Sequence, residues 1–455
     1  MTTSATPPQS VSGPADPVAV LKSRSYVVLV VLGAVIGVPV ASIAYFFLQA
    51  VAKVQTEVYD NLPRDLGFHG EPLWWPLPWL ALSGLLVALS IRCLPGTGGH
   101  EPSEGLKTGG PPVEPIQLFG VAAAAFATLS LGAVLGPEAP LIAIGTGLGV
   151  LAVHLVKRDA PPMAAVLIGA AGSFAAIATL LGSPLVGAFL LMEIAGIGGP
   201  MMEALLIPGL LAAGVGSLVF VGLDDLTGFG TFSLAVSHIP VVGSPTGAEF
   251  LWAVVIGLAG SVLATGIFRV ARILRAVVET RRVLITPVVG LAVGGLAIAF
   301  AEGTGRSSSN VLFSGQSALP TLVQQAAGWS AGALVMLLAC KALAYALSLS
   351  GFRGGPIFPS MFIGAAGGIA LSHLSGLPMI AGAAMGIGAM SAGALQLPMT
   401  SVLLPSVLFV SDSLELMPVV IVAVVVSYLV AVRINPSPAP VPVASPPVSA
   451  ANGGG

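Results

Sequence analysis

Four stretches of the sequence interrupt apolar runs with glycine and proline: PGTGGHEPSEG (Pro95 to Gly105), GPEAP (Gly136 to Pro140), GGPIFP (Gly354 to Pro359) and QLPMTS (Gln396 to Ser401). Three of the four open apolar helices. The first turn of a helix presents unpaired N–H groups and the positive end of the helix dipole, so several such starts converging on one point make an anion site without a fixed cation. That suits transport, because a buried Lys or Arg would hold a small anion tightly, whereas partial charges let it enter and leave. Any single break is better explained by close helix packing, which glycine also permits; four together favour the anion site. Glu138 stands in the first turn of one of these helices, where its apolar flanks make a carboxylate costly unless something uses it. Its head would sit where a bound anion sits. Burial and helix dipoles pull its proton affinity in opposite directions, which places its titration in an accessible pH range. A carboxylate that fills the anion's place when charged and leaves when protonated is a gate. The plainer alternative is a helix-capping acid at a membrane surface.

The elements that must position these groups are membrane helices. Of 455 residues, 55% are hydrophobic and 8% charged, with 17 Lys and Arg against 19 Asp and Glu. Globular chains carry about 25% charged residues, so most of this surface faces lipid or other buried helices. A net charge of −2 excludes a basic nucleic-acid face. Apolar stretches recur near 26–51, 74–94, 116–135, 139–156, 163–182, 184–195, 201–221, 250–268, 285–301, 329–349, 360–375, 377–394 and 398–432. At roughly 20 residues per crossing, the length allows about ten crossings plus re-entrant pieces. Several stretches are too short to cross, and a backbone broken inside a membrane survives only if it is buried or lines a wet cavity.

Cationic residues at Lys22 and Arg24, Arg92 and Lys107, Lys157 and Arg158, and Arg269, Arg272, Arg275, Arg281 and Arg282 mark the cytoplasmic side. Lys53 to Glu71, followed by Trp74 and Trp75, reads as an external loop ending at an aromatic anchor. Residues 1–25 and 434–455 have the composition of disordered tails. GPEAPLIAIGTGLG from Gly136 is similar to GGPIFPSMFIGAAGG from Gly354, and each is followed by a second Pro-opened segment, GSPLVGAFLL and QLPMTSVLL. This repetition predicts two membrane halves, 26–222 and 248–433, joined by a polar connector at 223–247. Cys93 and Cys340 form neither a disulfide framework nor a metal site. His100 and Glu101 begin like a zinc-protease motif, but Glu104 stands where its second histidine is needed, so neither metal nor cofactor is expected.

Taken in order, these motifs resemble those of the CLC family of chloride channels and chloride/proton antiporters. GTGGHE (Gly96 to Glu101) is similar to that family's GSGIPE, GPEAP to GREGP, GGPIFP to GGIFAP, and GSPLVGAFLLME to its APLAG segment. The likeness runs from residue 26 to about 432. It implies an all-α polytopic membrane protein, an inverted repeat with broken, re-entrant helices, assembled as a homodimer in which each subunit has its own chloride pathway. Carried over by position, Glu138 is the gating glutamate and Thr97 stands at the central-site serine. Backbone groups at Ile357 and Phe358 serve the anion from the second half, and Gly98, Gly136 and Pro137 complete the implied anion-binding set. Three departures bear on mechanism. Pro356 falls where the family has Ile and has no N–H to donate, so one backbone contact is lost or displaced. Ile194 occupies the place of the antiporters' relay glutamate. The inner-gate tyrosine would lie beyond Arg433, where the chain reads NPSPAPVPV, and Tyr428 comes too early to replace it.

Glu193 could be a surviving proton relay, although a structural ion pair or a water-facing helix end suits it better. Lys341, inside ALVMLLACKALAYAL, reads as a paired base, and Asp412 and Glu415 as solvated turn residues. The reading that follows is a multi-pass protein of the cell membrane conducting chloride, passive or weakly coupled to protons. Proton-coupled exchange of chloride or fluoride is the alternative, with fluoride disfavoured by the hydroxyl of Thr97. An intramembrane enzyme would need a nucleophile and base or a metal cluster, and none is visible. A cation transporter would need more acids within the spans.

Overall fold

The computed structural model describes residues 22–106, 113–157, 159–160, 162–196, 200–230, 234–236, 243–410 and 413–434. The terminal segments expected to be disordered fall almost wholly outside these residues, as do Asp412 and part of the expected connector, whose first residues, to Thr227, instead continue a helix. The principal helices are α1 (Arg24–Thr56), α2 (Pro76–Cys93), α3 (Leu118–Ser130), α4 (Glu138–Val156), α5 (Pro162–Leu181), α6 (Pro184–Ala195), α7 (Pro200–Thr227), α8 (Gly247–Thr280), α9 (Arg282–Thr304), α10 (Ala331–Gly351), α11 (Ile357–Leu371), α12 (Met379–Leu395), α13 (Pro398–Leu408) and α14 (Ser413–Ile434). Among the described residues nine helical segments are long and apolar enough to cross a membrane.

The remaining apolar helices are too short. α11 and α12 have 15 and 17 residues, or about 22 and 25 Å at about 1.5 Å per residue, against a hydrocarbon core of about 30 Å. They are apolar all round and almost wholly buried, which is how a broken helix avoids presenting bare backbone to lipid. α6 and α13 are shorter still. Proline opens α6 and α13, and Ser183 caps α6 by accepting the Val186 amide at 3.3 Å.

Both halves use the same construction. In the first, Gly145 of α4 meets Gly172 of α5 backbone to backbone, and Gly149 meets Ile168. In the second, Gly364 and Gly368 of α11 meet Gly386 and Gly382 of α12 in the same way. Each pair begins at a proline in the N-cap position, Pro137 for α4 and Pro356 for α11. The two Pro-opened segments, α6 and α13, pack against each other.

Several boundaries differ from the sequence reading. Lys53 to Asp65 is not loop: α1 runs on through a π-helical stretch at Glu57–Asn61 and a last turn at Leu62–Asp65, stabilised by the Lys53–Glu57 pair at 3.2 Å. The stretch 398–432 divides into α13 and α14. α8 extends through the arginine cluster as far as Thr280, because charged side chains with long stems suit a helix that leaves the membrane. A β-carbon at Gly386 would overlap the Gly364 carbonyl. Gly386→Val should therefore lower stability by about 1–3 kcal/mol or more, read as a lower midpoint of thermal unfolding in detergent; an unchanged midpoint would contradict the packing.

Candidate anion site

The two helix starts that carry GPEAP and GGPIFP lie side by side. Gly136 donates its N–H to the Gly355 carbonyl at 2.8 Å and Gly355 returns the bond to Gly136 at 2.6 Å, an antiparallel bridge between the halves. The bridge aims the first turns of α4 and α11 at one point. Glu138, the first residue of α4, is fully buried, and its side chain crosses to the other half, where Oε1 accepts the Phe358 amide at 2.8 Å. Oε2 is buried with no hydrogen-bond partner. A β-carbon on Gly136 or on Gly355 would overlap this carboxylate, so the absence of a side chain at both positions leaves the room that Glu138 occupies.

These contacts redistribute the expected roles. Gly136 uses its amide on Gly355 and Pro137 has none, so neither donates to an anion; they shape the helix start. Pro356 has no amide to offer, and the Phe358 amide two residues on is the one that bonds the carboxylate. The Pro356 carbonyl is held from behind by Tyr345 Oη at 3.0 Å and Ser360 Oγ at 2.8 Å.

Tyr345 belongs to a polar row on the otherwise apolar α10. Lys341, Tyr345 and Ser348 stand at i, i+4 and i+7 and so share one face. Ser348 Oγ accepts the Val134 amide at 3.0 Å, just ahead of Gly136. Lys341 is 1% exposed, and its Nζ lies 3.0, 3.1, 3.0 and 3.3 Å from the carbonyls of Asn310, Val311, Leu312 and Phe313. The expectation of a paired base is corrected. Among the described residues no acid lies within 4.0 Å of Lys341; main-chain carbonyls and the face of Phe362, 4.4 Å away, replace the counter-ion. A neutral amine has two N–H groups and would turn a lone pair toward the remaining oxygens, so this geometry holds an ammonium. The loop it gathers is joined to the first half through the Phe313 amide and the Gly132 carbonyl at 3.1 Å. The sequence reading missed Tyr345, Ser348 and this loop, although the i, i+4, i+7 spacing in an apolar helix was the available signal.

Thr97 and Gly98 are not hydrogen-bonded to Glu138. Thr97 is exposed and takes a left-handed conformation (φ 50°) between Gly96 (φ 89°) and Gly98 (φ 73°), a strained state for a β-branched residue. Arg353 connects this turn to the second half: its Nε lies 3.4 Å from the Thr97 carbonyl, its Nη2 lies 3.2 Å from Glu101, and its amide bonds Thr128 at 3.2 Å. Glu101 also pairs with Arg275 and, at 3.6 Å, with Arg282. Glu193 caps α13 instead of forming an ion pair; its carboxylate accepts Met399 N and Thr400 N, each at 2.7 Å, and Thr400 Oγ1 at 2.5 Å. Tyr428 lies in α14, and the residues beyond 434 are outside those described. No group of three or more metal-ligating side chains occurs among the described residues.

Residues 79–432 match the protein family described as Voltage gated chloride channel. The chain belongs to the CLC family. It is 30% identical over 367 residues to YfeO of Salmonella schwarzengrund (strain CVM19633), a protein named for ion transport, covering 78% of this chain and 84% of that one. YfeO of Salmonella newport (strain SL254) is 30% identical over 370 residues with the same coverage. Among solved structures, a slow cyanobacterial Cl-/H+ antiporter shares the fold with a TM-score of 0.71 at 20% identity, covering 90% of this chain and 95% of the other. A CLC-type fluoride/proton antiporter has a TM-score of 0.63 at 20% identity, with 89% and 95% covered. This CLC chain is thus a multi-pass membrane protein of an anion-transport family.

Two substitutions separate structural from transport roles in this CLC chain. Lys341→Met leaves the carbonyls of 310–313 without donors and should destabilise the protein by roughly 3 kcal/mol or more, seen as loss of a monodisperse species in detergent; full stability would contradict the ammonium's role. Glu193→Gln weakens one helix cap and should lower stability by about 1 kcal/mol while leaving flux per folded protein unaltered. Reduced flux at unchanged stability would return Glu193 to the pathway.

Proposed function

We propose that this protein conducts chloride across the cell membrane, passively or with weak proton coupling, and that Glu138 is the gate. The observation that carries the reading is the bond from Phe358 N to Glu138 Oε1. A site made of helix starts, with no fixed cation on it, is occupied by the chain's own carboxylate. When charged, Glu138 competes with a halide for the amides at the start of α11. When protonated, it loses the charge that those dipoles favour, leaves, and opens the site. Thr97, exposed at the far end of the Arg353 link, supplies the hydroxyl at the inner approach, and Gly98 lets that turn form.

Weak coupling is supported by Ile194 in the relay position and by Glu193 being engaged at the start of α13. The second reading, chloride/proton or fluoride/proton exchange through a different relay, is favoured by the antiporters that share this fold. The working unit is a homodimer of two-half subunits, 26–222 and 248–433, each with its own pathway.

In liposomes the protein should dissipate a chloride gradient in the presence of valinomycin. Glu138→Gln, shaped like the protonated acid, should raise flux and flatten its increase on acidification. Flux and pH response identical to the parent protein would defeat the gate. Little proton movement should accompany each anion; stoichiometric proton uptake driven by a chloride gradient would establish the exchange reading instead.

A further inference from the structure

Three arginines outside the candidate site, Arg92, Arg281 and Arg282, line one cleft. α2 and α9 cross closely, with Gly84 against Thr286 and Gly290 against Leu80. Past that crossing a cleft of about 460 Å³ opens between the end of α2 and the α8–α9 junction, on the side that the cationic residues mark as cytoplasmic. Its polar lining is Arg92, Thr280, Arg281 and Arg282; Ile91 and Leu284 are among its apolar walls. Arg92 and Arg281 are exposed and have no ion-pair partner among the described residues, whereas Arg282 faces Glu101 and Glu279, each at 3.6 Å. α9 begins at the cleft without a side-chain cap.

The walls continue into the bilayer. Leu85, Leu89 and Arg92 share one face of α2 by their i, i+4, i+7 spacing, and Leu284, Val288 and Leu291 share one face of α9. All five aliphatic residues are exposed, Leu284 and Val288 most of all. Each row therefore leads from apolar residues exposed along the span to the arginine cleft.

We propose that this cleft binds the headgroup of an anionic phospholipid, with its acyl chains lying along the two aliphatic rows. Guanidinium groups present paired N–H donors that match phosphate oxygens, and basic pockets between spanning helices on the cytoplasmic side take acidic headgroups. A zwitterionic headgroup would bring its own ammonium among three guanidinium groups and is disfavoured. Phosphate in the cleft also competes with Glu101 for Arg282. Glu101 binds Arg353, and Arg353 holds the Thr97 carbonyl, so occupancy reaches the inner approach to the anion site. This last link rests on the proposed role of Thr97; the binding does not.

The test compares the full chain with Arg92→Gln/Arg281→Gln, two exposed and unpaired positions whose loss should leave the thermal midpoint unchanged. Phosphatidylglycerol or phosphatidylcholine is titrated into the protein in detergent and bound lipid is read by native mass spectrometry. At about fivefold per arginine, the double variant should bind phosphatidylglycerol about 25-fold more weakly, with phosphatidylcholine binding weak in both. Equal phosphatidylglycerol binding by the variant, or equal binding of the two lipids by the parent protein, overturns the site. Displacement by glycerol phosphate at the lipid's own concentration overturns the lipid as occupant in favour of a soluble phosphate ester. Chloride flux of the parent should change when phosphatidylglycerol replaces phosphatidylcholine in the vesicles, and that of the variant should not. Insensitive parental flux overturns the link to Thr97. Absence of chloride flux in every vesicle instead counts against the transport reading, while the binding measurement still decides the site.

Discussion

The arrangement depends on holding an acidic side chain in a place from which water has been removed, with no cation touching it among the described residues. A carboxylate buried alone would cost several kcal/mol. Here the cost is offset by backbone amides at the start of α11, supplied by the opposite half of the chain. For those amides to reach Glu138, two helix starts must stand side by side. The mutual hydrogen bonds of Gly136 and Gly355 accomplish this, and the lack of a side chain at both residues leaves the adjoining space to the carboxylate.

A seat built from backbone can be no more rigid than the segments that carry it. α10 supplies that rigidity from one face: Ser348 fixes the approach to Gly136, Tyr345 fixes the carbonyl behind α11, and Lys341 gathers the loop 310–313 that bonds to Gly132. The positive charge in this region is thus kept off the site itself and directed at main-chain oxygens. An ammonium in contact with a halide would trap it; one buried behind the walls holds the geometry and leaves only partial charges facing the site. The second cationic group, the Arg353 and Glu101 cluster, joins the strained turn at Thr97 to the same second-half segment.

Much of this was legible beforehand, for physical reasons. An 8% charged content points to a membrane protein, and three of the four Gly-Pro breaks in apolar runs are helix starts, at α4, α11 and α13. A carboxylate directly after such a break, Glu138, is hard to explain except as part of what the break binds. The starts of α11 and α13 follow from Pro356 and Pro398, whereas the division of 398–432 into α13 and α14 did not show in the apolar pattern. Other residues were less readable because their meaning is set by partners distant in sequence. Lys341 was expected to pair with an acid, and only the fold shows four carbonyls from residues 310–313 converging on it. Glu193 likewise reads as relay, ion pair or surface acid until the start of α13 is placed against it.

Composition and local spacing therefore determined the class of protein and the positions of the principal helix starts, and they singled out Glu138, because hydrophobicity, proline and glycine act on their immediate neighbours. The tertiary structure alone decided which amides face Glu138, that Gly136 bonds to Gly355 rather than to an ion, and which oxygens surround Lys341. Those are contacts between residues some 30 to more than 200 positions apart, and no local pattern encodes the direction in which a buried donor will find its acceptor.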